Sequence, residues 1–532
     1  MKTRYLIFGV IISFTLLLAG CIVGPDYIRP EVPEPQKWLE EKNPSIKSES
    51  ADFDQWWTVF NDPVIDRLVK MASEQNLSLR IAGIRILEAR AQLGIAIGDF
   101  YPQSQSVGGS YSYTDASKHT ANSQPGADFK YGNMDIGFDA AWELDFWGKF
   151  RRAVESDIRT LEASIANYDD ILVTLTAEVV RTYVLIRTLE RRLGISIENV
   201  KTQKQSLQIT ETRFKEGDIT ELDVQQARAL LRDTQAQIPR IQADLRQSKN
   251  GLAILLGMLP GELKDILEAS TSIPIVPGEL IVGIPSELLR RRPDIRLAEH
   301  QLGAQGARIG VAQADLYPHF SLFGSIGLHA SDASVTAAGF PGGSSFGDLW
   351  DSDSVSFFGG AGFSWNIFNY GRIKNRVRVQ DARFEQLAVN YKNKVLKAAQ
   401  ETEDAMVSFL RSREEAEFLS ESVDAATRSV GLAMIQYREG LVDYQRVLDS
   451  QRFQSQEQDL LTQTQGSVVQ NFIAVFKALG GGWQIREGKY FVPEETRKKM
   501  QERTDWGNLL SPTKQETPLD DKNRLELQKP EW

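Results

Sequence analysis

Two stretches of this sequence alternate apolar and polar residues for longer than most soluble strands do. Met134, Ile136, Phe138, Ala140, Trp142, Leu144 and Phe146 are separated by Asp135, Gly137, Asp139, Ala141, Glu143 and Asp145. Val355, Phe357, Gly359, Ala361, Phe363, Trp365 and Ile367 are separated in the same way by Ser354, Ser356, Phe358, Gly360, Gly362, Ser364 and Asn366. A period of two puts the members of each set on opposite faces of a strand. Each stretch follows a weaker one, so the pattern predicts strands at about 103–114, 134–146, 320–329 and 354–368. The weaker partners differ in phase by one residue, which predicts a bulge. Strands of about 10 to 13 residues with one greasy and one polar face suit a tilted barrel crossing an outer membrane. On that reading the acidic alternates Asp135, Asp139, Glu143 and Asp145 face the lumen.

Four strands cannot close a barrel. An unpaired edge is not tolerated in lipid, where its N–H and C=O groups find no water. Three copies of four strands make twelve, so a homotrimer is expected, with the polar segments 115–133 and 331–353 as external loops. Phe100, Tyr101, Phe146, Trp147, Tyr317, Phe368 and Tyr370 then fall at one level, as an interfacial aromatic girdle or as packing of the helix junction.

Elsewhere the period is helical. Lys149 to Phe214 and Arg372 to Tyr437 are proline-free runs of 66 residues each, about 100 Å long as helices. The shorter pieces 76–100 with 220–256, and 294–316 with 443–479, could stack end to end to match one rod each, giving four staves per copy. Pro239 inside one short piece predicts a kink or break. Gly217 and Gly440 can end the long helices in the left-handed conformation, and Pro102 and Pro318 stop the helices before the strands.

The two halves are copies of one unit. Ala91, Gly94, Ala96, Asp99, Tyr101 and Pro102 recur as Ala307, Gly310, Ala312, Asp315, Tyr317 and Pro318, an offset of 216. Trp142 and Gly148 recur as Trp365 and Gly371, and Phe214-Lys215-Glu216-Gly217 as Tyr437-Arg438-Glu439-Gly440, an offset of 223. The boundaries follow: a first repeat over 61–275, a second over 276–483 and a tail over 484–532.

Lys2 and Arg4 precede an apolar run from Tyr5 to Ala19, too short to span a bilayer as a helix, and the run ends in Leu18-Ala19-Gly20-Cys21. Cys21 is the only cysteine of 532 residues. This is the form of a lipoprotein signal over 1–20, with Cys21 as the lipidated first residue of a linker over 21–60. Ile22 where some inner-membrane lipoproteins carry Asp points to the outer membrane. A net charge of -10 without a basic block argues against nucleic acid as a partner. His119, His300, His319 and His329 lack metal-ligand spacing, and no cofactor motif is present. Gly343-Ser344-Ser345-Phe346-Gly347 matches a nucleophile elbow but lies in a Gly/Ser-rich loop rather than between a strand and a helix, so no enzyme is expected. A coiled-coil adhesin would use the long helices but not the four amphipathic strands.

Gly24-Pro25-Asp26-Tyr27, the stretch from Pro285 through Arg290, Arg291, Arg292 and Pro293 to Ile295, and Ala478-Leu479-Gly480-Gly481-Gly482-Trp483 resemble the TolC-like outer-membrane efflux family, in its lipoprotein branch serving resistance-nodulation-division pumps. Taken alone, the arginine run reads as a solvated helix end. The resemblance implies an α+β membrane protein of two tandem structural repeats, a trimeric 12-stranded transmembrane β-barrel continuous with a long periplasmic α-helical barrel. It implies a periplasmic adaptor and an inner-membrane resistance-nodulation-division transporter as partners. It also implies adaptor docking at Lys215, Glu216, Gly217, Arg438, Glu439 and Gly440, and a periplasmic aperture with an acidic ring at Asp449 and tip contacts through Asp223 and Tyr437. At Val442 and Arg446 the chain departs from relatives that carry a basic latch and a second acidic ring. Export of small molecules such as drugs is the expected function. The alternative is the outer-membrane duct of a type I protein secretion system, built on the same architecture.

A Cys21→Ser variant should incorporate no labelled palmitate and should accumulate with its first 20 residues attached. Normal labelling and cleavage would exclude the lipobox.

Overall fold

The computed structural model describes residues 22–33, 37–47, 53–119, 129–267, 272–283, 291–332 and 345–510. In chain order the elements are β1 (Ile46–Lys47), α1 (Pro63–Gln75), α2 (Leu77–Gly98), β2 (Ser104–Asp115), β3 (Lys130–Leu144), α3 (Lys149–Lys215), α4 (Glu221–Leu255), β4 (Leu280–Ile281), α5 (Pro293–Ala314), β5 (His319–Ser331), β6 (Val355–Ser364), α6 (Arg372–Arg438), α7 (Tyr444–Ala478) and α8 (Glu494–Arg503).

The repeat is visible in the helix lengths. Helices α2 and α5 have 22 residues each, α3 and α6 67 each, and α4 and α7 35 each. Each long helix starts at a glycine in the left-handed region, Gly148 at φ 79° and Gly371 at φ 80°, where the chain turns sharply out of the barrel. The short helices meet end to end. Asn76 caps α2 by accepting from Leu79 N and donates its own amide to Leu255 O at the end of α4, 2.9 Å away in each case. In the second half Arg292 donates to Ala478 O at 2.7 Å, so the start of α5 meets the end of α7. Each joint hands a stranded C-terminal carbonyl a donor from the abutting helix.

Helix α4 runs unbroken through Pro239, so of the expected kink or break there is no break. Pro239 itself is exposed, so its ring meets no packed neighbour. The arginine run also departs from expectation. Arg292 is buried, bonded to Asp294 and Glu401 as well as to Ala478 O, while Arg291 is exposed. Residues 284–290 lie outside the described residues.

The four long strands form one antiparallel sheet in the order β2-β3-β5-β6. Its ladders are continuous and contain no bulge. The phase difference is absorbed before the ladder: β2 begins two residues after Pro102, and β5 directly after Pro318. The extra residue, Gln103, pairs with Glu143 through its side chain, accepting from Glu143 N at 2.7 Å and donating to Glu143 O at 3.2 Å.

Helix α3 packs between α2 with α4 on one side and α5 with α7 on the other, and α6 packs against α5 and α7. The main core lies at mid-height. There Trp56 stacks on Phe476 at 5.4 Å, and Phe60, Tyr183, Phe409 and Phe472 fill the space behind. A parallel pair, Ile46↔Leu280, buries both residues in this core, and Trp38 Nε1 donates to Gly283 O at 3.0 Å. Through the same level, fully buried Asp169 of α3 joins Arg296 of α5, 2.7 Å away, to Arg486 of the C-terminal segment. Both guanidinium groups also lie over the Trp483 ring, at 4.6 and 5.3 Å.

Removing the carboxylate takes the shared acid away from two partly buried cations. Asp169→Ala should therefore destabilise the assembly by about 3–5 kcal/mol, read as a lower temperature of trimer dissociation in detergent. An unchanged temperature would mean that the cluster adds nothing.

Candidate functional site

In an antiparallel ladder directly paired residues share a face, so the register decides which side chains line one surface. Asp135 is opposite Ser110 and His329, Asp139 opposite Ser106 and Ser325, and Glu143 opposite Ser321. Ser356, Phe358, Gly360 and Gly362 continue this face onto β6. The other face carries Val107 and Tyr111, then Met134, Ile136 and Phe138, then Leu322, Ile326 and Leu328, then Phe357 and Phe363. One face is polar apart from the stacked Phe323–Phe358 pair, and the other is greasy across all four strands. Ser110 Oγ donates to Asp135 at 2.9 Å, and His329 Nδ1 lies 2.6 Å from the other carboxylate oxygen. His319 Nδ1 is 2.8 Å from Glu143. Two histidines that look isolated in the sequence thus face acids of the other repeat.

Asp145 does not belong to the polar face. The strand ends at Leu144, and Asp145 turns back to accept from the N–H groups of Phe150 and Arg151 at 2.9 and 3.1 Å. Its carboxylate also pairs with the Arg151 guanidinium at 2.8 Å and is 7% exposed. The free N–H groups of the α3 N-terminus attract it more strongly than continued alternation does.

At the strand–helix junction the aromatic residues pack on one another. Trp147 stacks on Tyr317 at 4.5 Å and donates to Pro318 O at 2.8 Å, while Phe146 touches Phe320 at 5.4 Å. Phe368 and Tyr370 remain exposed. The N-terminal segment reaches this level too: Val23 N donates to Trp147 O at 3.0 Å, and Arg152 pairs with Asp26 at 2.7 Å. A Cβ on Gly148 would meet Ile22 Cα at 3.1 Å, so the residue after Cys21 lies against the base of the sheet. Cys21 itself lies outside the described residues.

At the far end both long helices close with the same turn. Gly217 (φ 86°) and Gly440 (φ 74°) take the left-handed conformation, with Asp218 N donating to Arg213 O and Leu441 N to Gln436 O. Lys215, Glu216, Gly217, Arg438, Glu439 and Gly440 are all exposed. Beneath the turns Tyr437 and Tyr444 are buried edge to face, 5.5 Å between ring centroids, against Ala227, Leu230, Val447 and Leu448. Burial pushes both phenols above the ordinary tyrosine range, with Arg213 opposing the shift at Tyr437.

Arg213, which the sequence did not single out, holds the two tips together. Its guanidinium lies 4.8 Å over the Tyr437 ring and donates to Tyr437 O at 2.6 Å. The available signal was a basic residue in the last helical turn. Asp223 caps its own helix, accepting from Thr220 N and Oγ1 at 3.1 Å, rather than bonding Tyr437. The Tyr437 hydroxyl has no hydrogen-bond partner among the described residues. Asp449 is exposed and accepts from Gln445 Nε2 at 2.8 Å.

Ser345 caps a 3-10 turn, Phe346–Trp350, and accepts from Gly347 N, so it is not set between a strand and a helix; Gly343 and Ser344 lie outside the described residues. Among the described residues no helix is long and apolar enough to cross a membrane, and no group of three or more His, Cys, Asp or Glu is placed to hold a metal ion.

A family model described as "Outer membrane efflux protein" matches residues 68–258 and 284–481. The chain is similar to Nodulation protein T of Rhizobium leguminosarum bv. trifolii, 30% identical over 476 residues that cover 88% of this chain and 96% of that protein. It is equally similar to the probable outer membrane lipoprotein SilC of Salmonella typhimurium, 30% identical over 477 residues, covering 89% and 98%. Among solved structures it resembles the outer-membrane channel OprN, with a TM-score of 0.81 and 32% identity over 87% of this chain and 100% of that one. It also resembles CusC, with a TM-score of 0.73 and 27% identity over 87% and 100%. The greasy sheet face, the unclosed sheet edges and the paired 67-residue helices have their explanation in that likeness: the chain belongs to the outer-membrane efflux protein family, and its trimer is the outer-membrane channel of a tripartite efflux system.

Proposed function

We propose that the exposed turns at Lys215, Glu216, Gly217 and at Arg438, Glu439, Gly440 receive a periplasmic adaptor, which joins the channel to an inner-membrane resistance-nodulation-division transporter. The observation that carries this reading is the bare pair of turns at the free end of the helices. A Cβ placed on Gly217 meets nothing within 4 Å, and on Gly440 only an Arg213 nitrogen at 3.9 Å. Two like turns, one per repeat, offer six equivalent contacts around the trimer.

The three acids Asp135, Asp139 and Glu143 then line the barrel lumen, because the opposite face meets lipid. Asp449, exposed on α7 two turns beyond the tip, supplies the aperture ring. Three carboxylates around one axis repel, favour cations and give a closed mouth a tendency to open. Asp223, half-buried in the first turn of α4, is the tip group for contacts between copies, with the buried Tyr437 ring packed behind it. A lipid on Cys21 enters the bilayer at its periplasmic face, since Ile22 lies against the base of the sheet. Cargo is small molecules. Relatives at similar identity carry names as different as cation efflux and solvent efflux, which fits a conduit that leaves selection to the pump.

Replacing Gly217 or Gly440 by Arg adds left-handed strain of roughly 1–2 kcal/mol but meets open space. Outer-membrane amounts should stay near wild type while efflux is lost. Efflux at the wild-type level would remove these turns from the docking surface. Asp449→Asn should weaken block of single-channel current by multivalent cations added from the periplasmic side. Undiminished block would place the constriction elsewhere.

A further inference from the structure

The seam between the two halves of one chain is a template for the seam between chains. The two hairpins share one register: adding 215 to a β2 residue and 223 to its β3 partner reproduces the β5–β6 ladder, Ser104↔Ala141 becoming His319↔Ser364 and Tyr113↔Gly132 becoming Leu328↔Val355. Among the described residues the strand seam that joins one repeat to the other is β3 against β5, with α3 against α5 and α7 below it; the tips add α4 against α7 and Arg213 on Tyr437. The edges left open are β6 with α6 and β2 with α2 and α4. These are the counterparts of the two sides of the internal seam.

We propose that β6 pairs with β2 of the partner subunit in the register copied from β3–β5, that Arg372 bonds Asp99 of the partner subunit, and that Tyr370 stacks on Tyr101 of the partner subunit. The inference rests on the trimeric channel and goes further by fixing which residues meet. Asp139↔Ser325 inside the chain becomes Gly362 opposite Ser110 of the partner subunit.

Three observations converge on this register. Lys149 Nζ is 3.2 Å from Asp315; the equivalents at offsets 223 and 216 are Arg372 and Asp99. Both are exposed, and neither side chain has an ion pair or hydrogen bond among the described residues. Trp147 stacks on Tyr317, and its counterpart Tyr370 is 101% exposed in one chain at a positive φ of 50°, a strained aromatic with nothing to cover it. The copied register also sets small residues against large ones on the lipid face. Gly359 faces Tyr113 of the partner subunit, Ala361 faces Tyr111 of the partner subunit, and Phe363 faces Gly109 of the partner subunit. The sheet already packs aromatics over glycines, since a Cβ on Gly360 would meet the Phe323 ring at 3.2 Å and one on Gly132 would meet Tyr111 at 3.1 Å. A slip of two residues puts Phe363 against Tyr111 or Val107 of the partner subunit and loses that fit.

The contact also completes a site. A cleft of about 400 Å³ at the base of the sheet is lined by Glu143, Lys149, Asp315, His319, Arg372 and Arg376. Lys149 and His319 already engage its two carboxylates, at 2.8 to 3.8 Å. Asp99 of the partner subunit brings the third, next to the Arg372 guanidinium.

Cross-linking in the full-length channel tests the register, because Cys21 is the only native cysteine. Directly opposed Cβ atoms lie about 5 Å apart and diagonal ones about 7–8 Å. Gly362→Cys with Ser110→Cys should therefore form intersubunit bonds with a short bis-methanethiosulfonate reagent, each cysteine thiolate displacing one methanesulfinate, faster than Gly362→Cys with either Ser112→Cys or Gly108→Cys. A faster slipped pair, or no bond in any pair while the protein sediments as a trimer, overturns the register and leaves the channel reading standing. Sedimentation of wild type as a monomer would overturn both. In parallel, Arg372→Asp and Asp99→Arg should each lower the temperature of trimer dissociation, and the double variant should recover it. Simply additive losses would mean that the two side chains do not meet.

Discussion

Everything in this molecule depends on one constraint: the hydrogen bonds of a four-stranded sheet must all be closed inside lipid. Strands β2 and β6 each present an unpaired edge in a single chain. Unsatisfied N–H and C=O groups in hydrocarbon cost several kcal/mol each, far more than side-chain packing at a seam recovers. Closure through other copies is therefore a condition of insertion. Trimerisation and the position of each repeat around the axis follow from it.

Duplication makes that closure economical in sequence terms. One unit of hairpin, long helix and two short helices occurs twice, and the seam that joins the units inside a chain has the same parts as the edges left open. The short helices reproduce a long one only because their ends meet through side chains, Asn76 on Leu255 and Arg292 on Ala478. The two joints lie near the aromatic core and the Asp169 cluster, so the densest packing falls where the staves are discontinuous. The helical barrel is thus held at its middle by burial and ion pairing, and at its top by the barrel. Its lower end has a smaller cluster around Tyr437 and Tyr444, with Arg213 bridging the tips. A region with few buried contacts is the one able to open at modest cost.

Much of this was legible in the sequence because periodicity is a local property. Alternation over about 134–146 and 354–368 marked the strands, whose observed spans are 130–144 and 355–364, and proline-free helical periodicity marked α3 and α6 to within a residue at their ends. The glycines at 217 and 440 marked the tips because few other residues adopt a positive φ without strain. Internal repetition fixed the two-fold organisation, and the alternation fixed which strand face is greasy.

Tertiary structure decided the points at which two local rules compete or two distant groups meet. Asp145 obeys the alternation in the sequence, but the N–H groups of the following helix capture it. The phase shift that resembles a bulge is taken up by Gln103, whose side chain imitates a strand residue. Arg292 reads as a solvated charge until α7 ends beside it, and Arg213 is unremarked until Tyr437 comes under its guanidinium. A sequence determines periodicity, turns and repeats because those depend on neighbours in the chain. The partners of a buried charge depend on which elements arrive at the same place, and that is known only once the helices are packed.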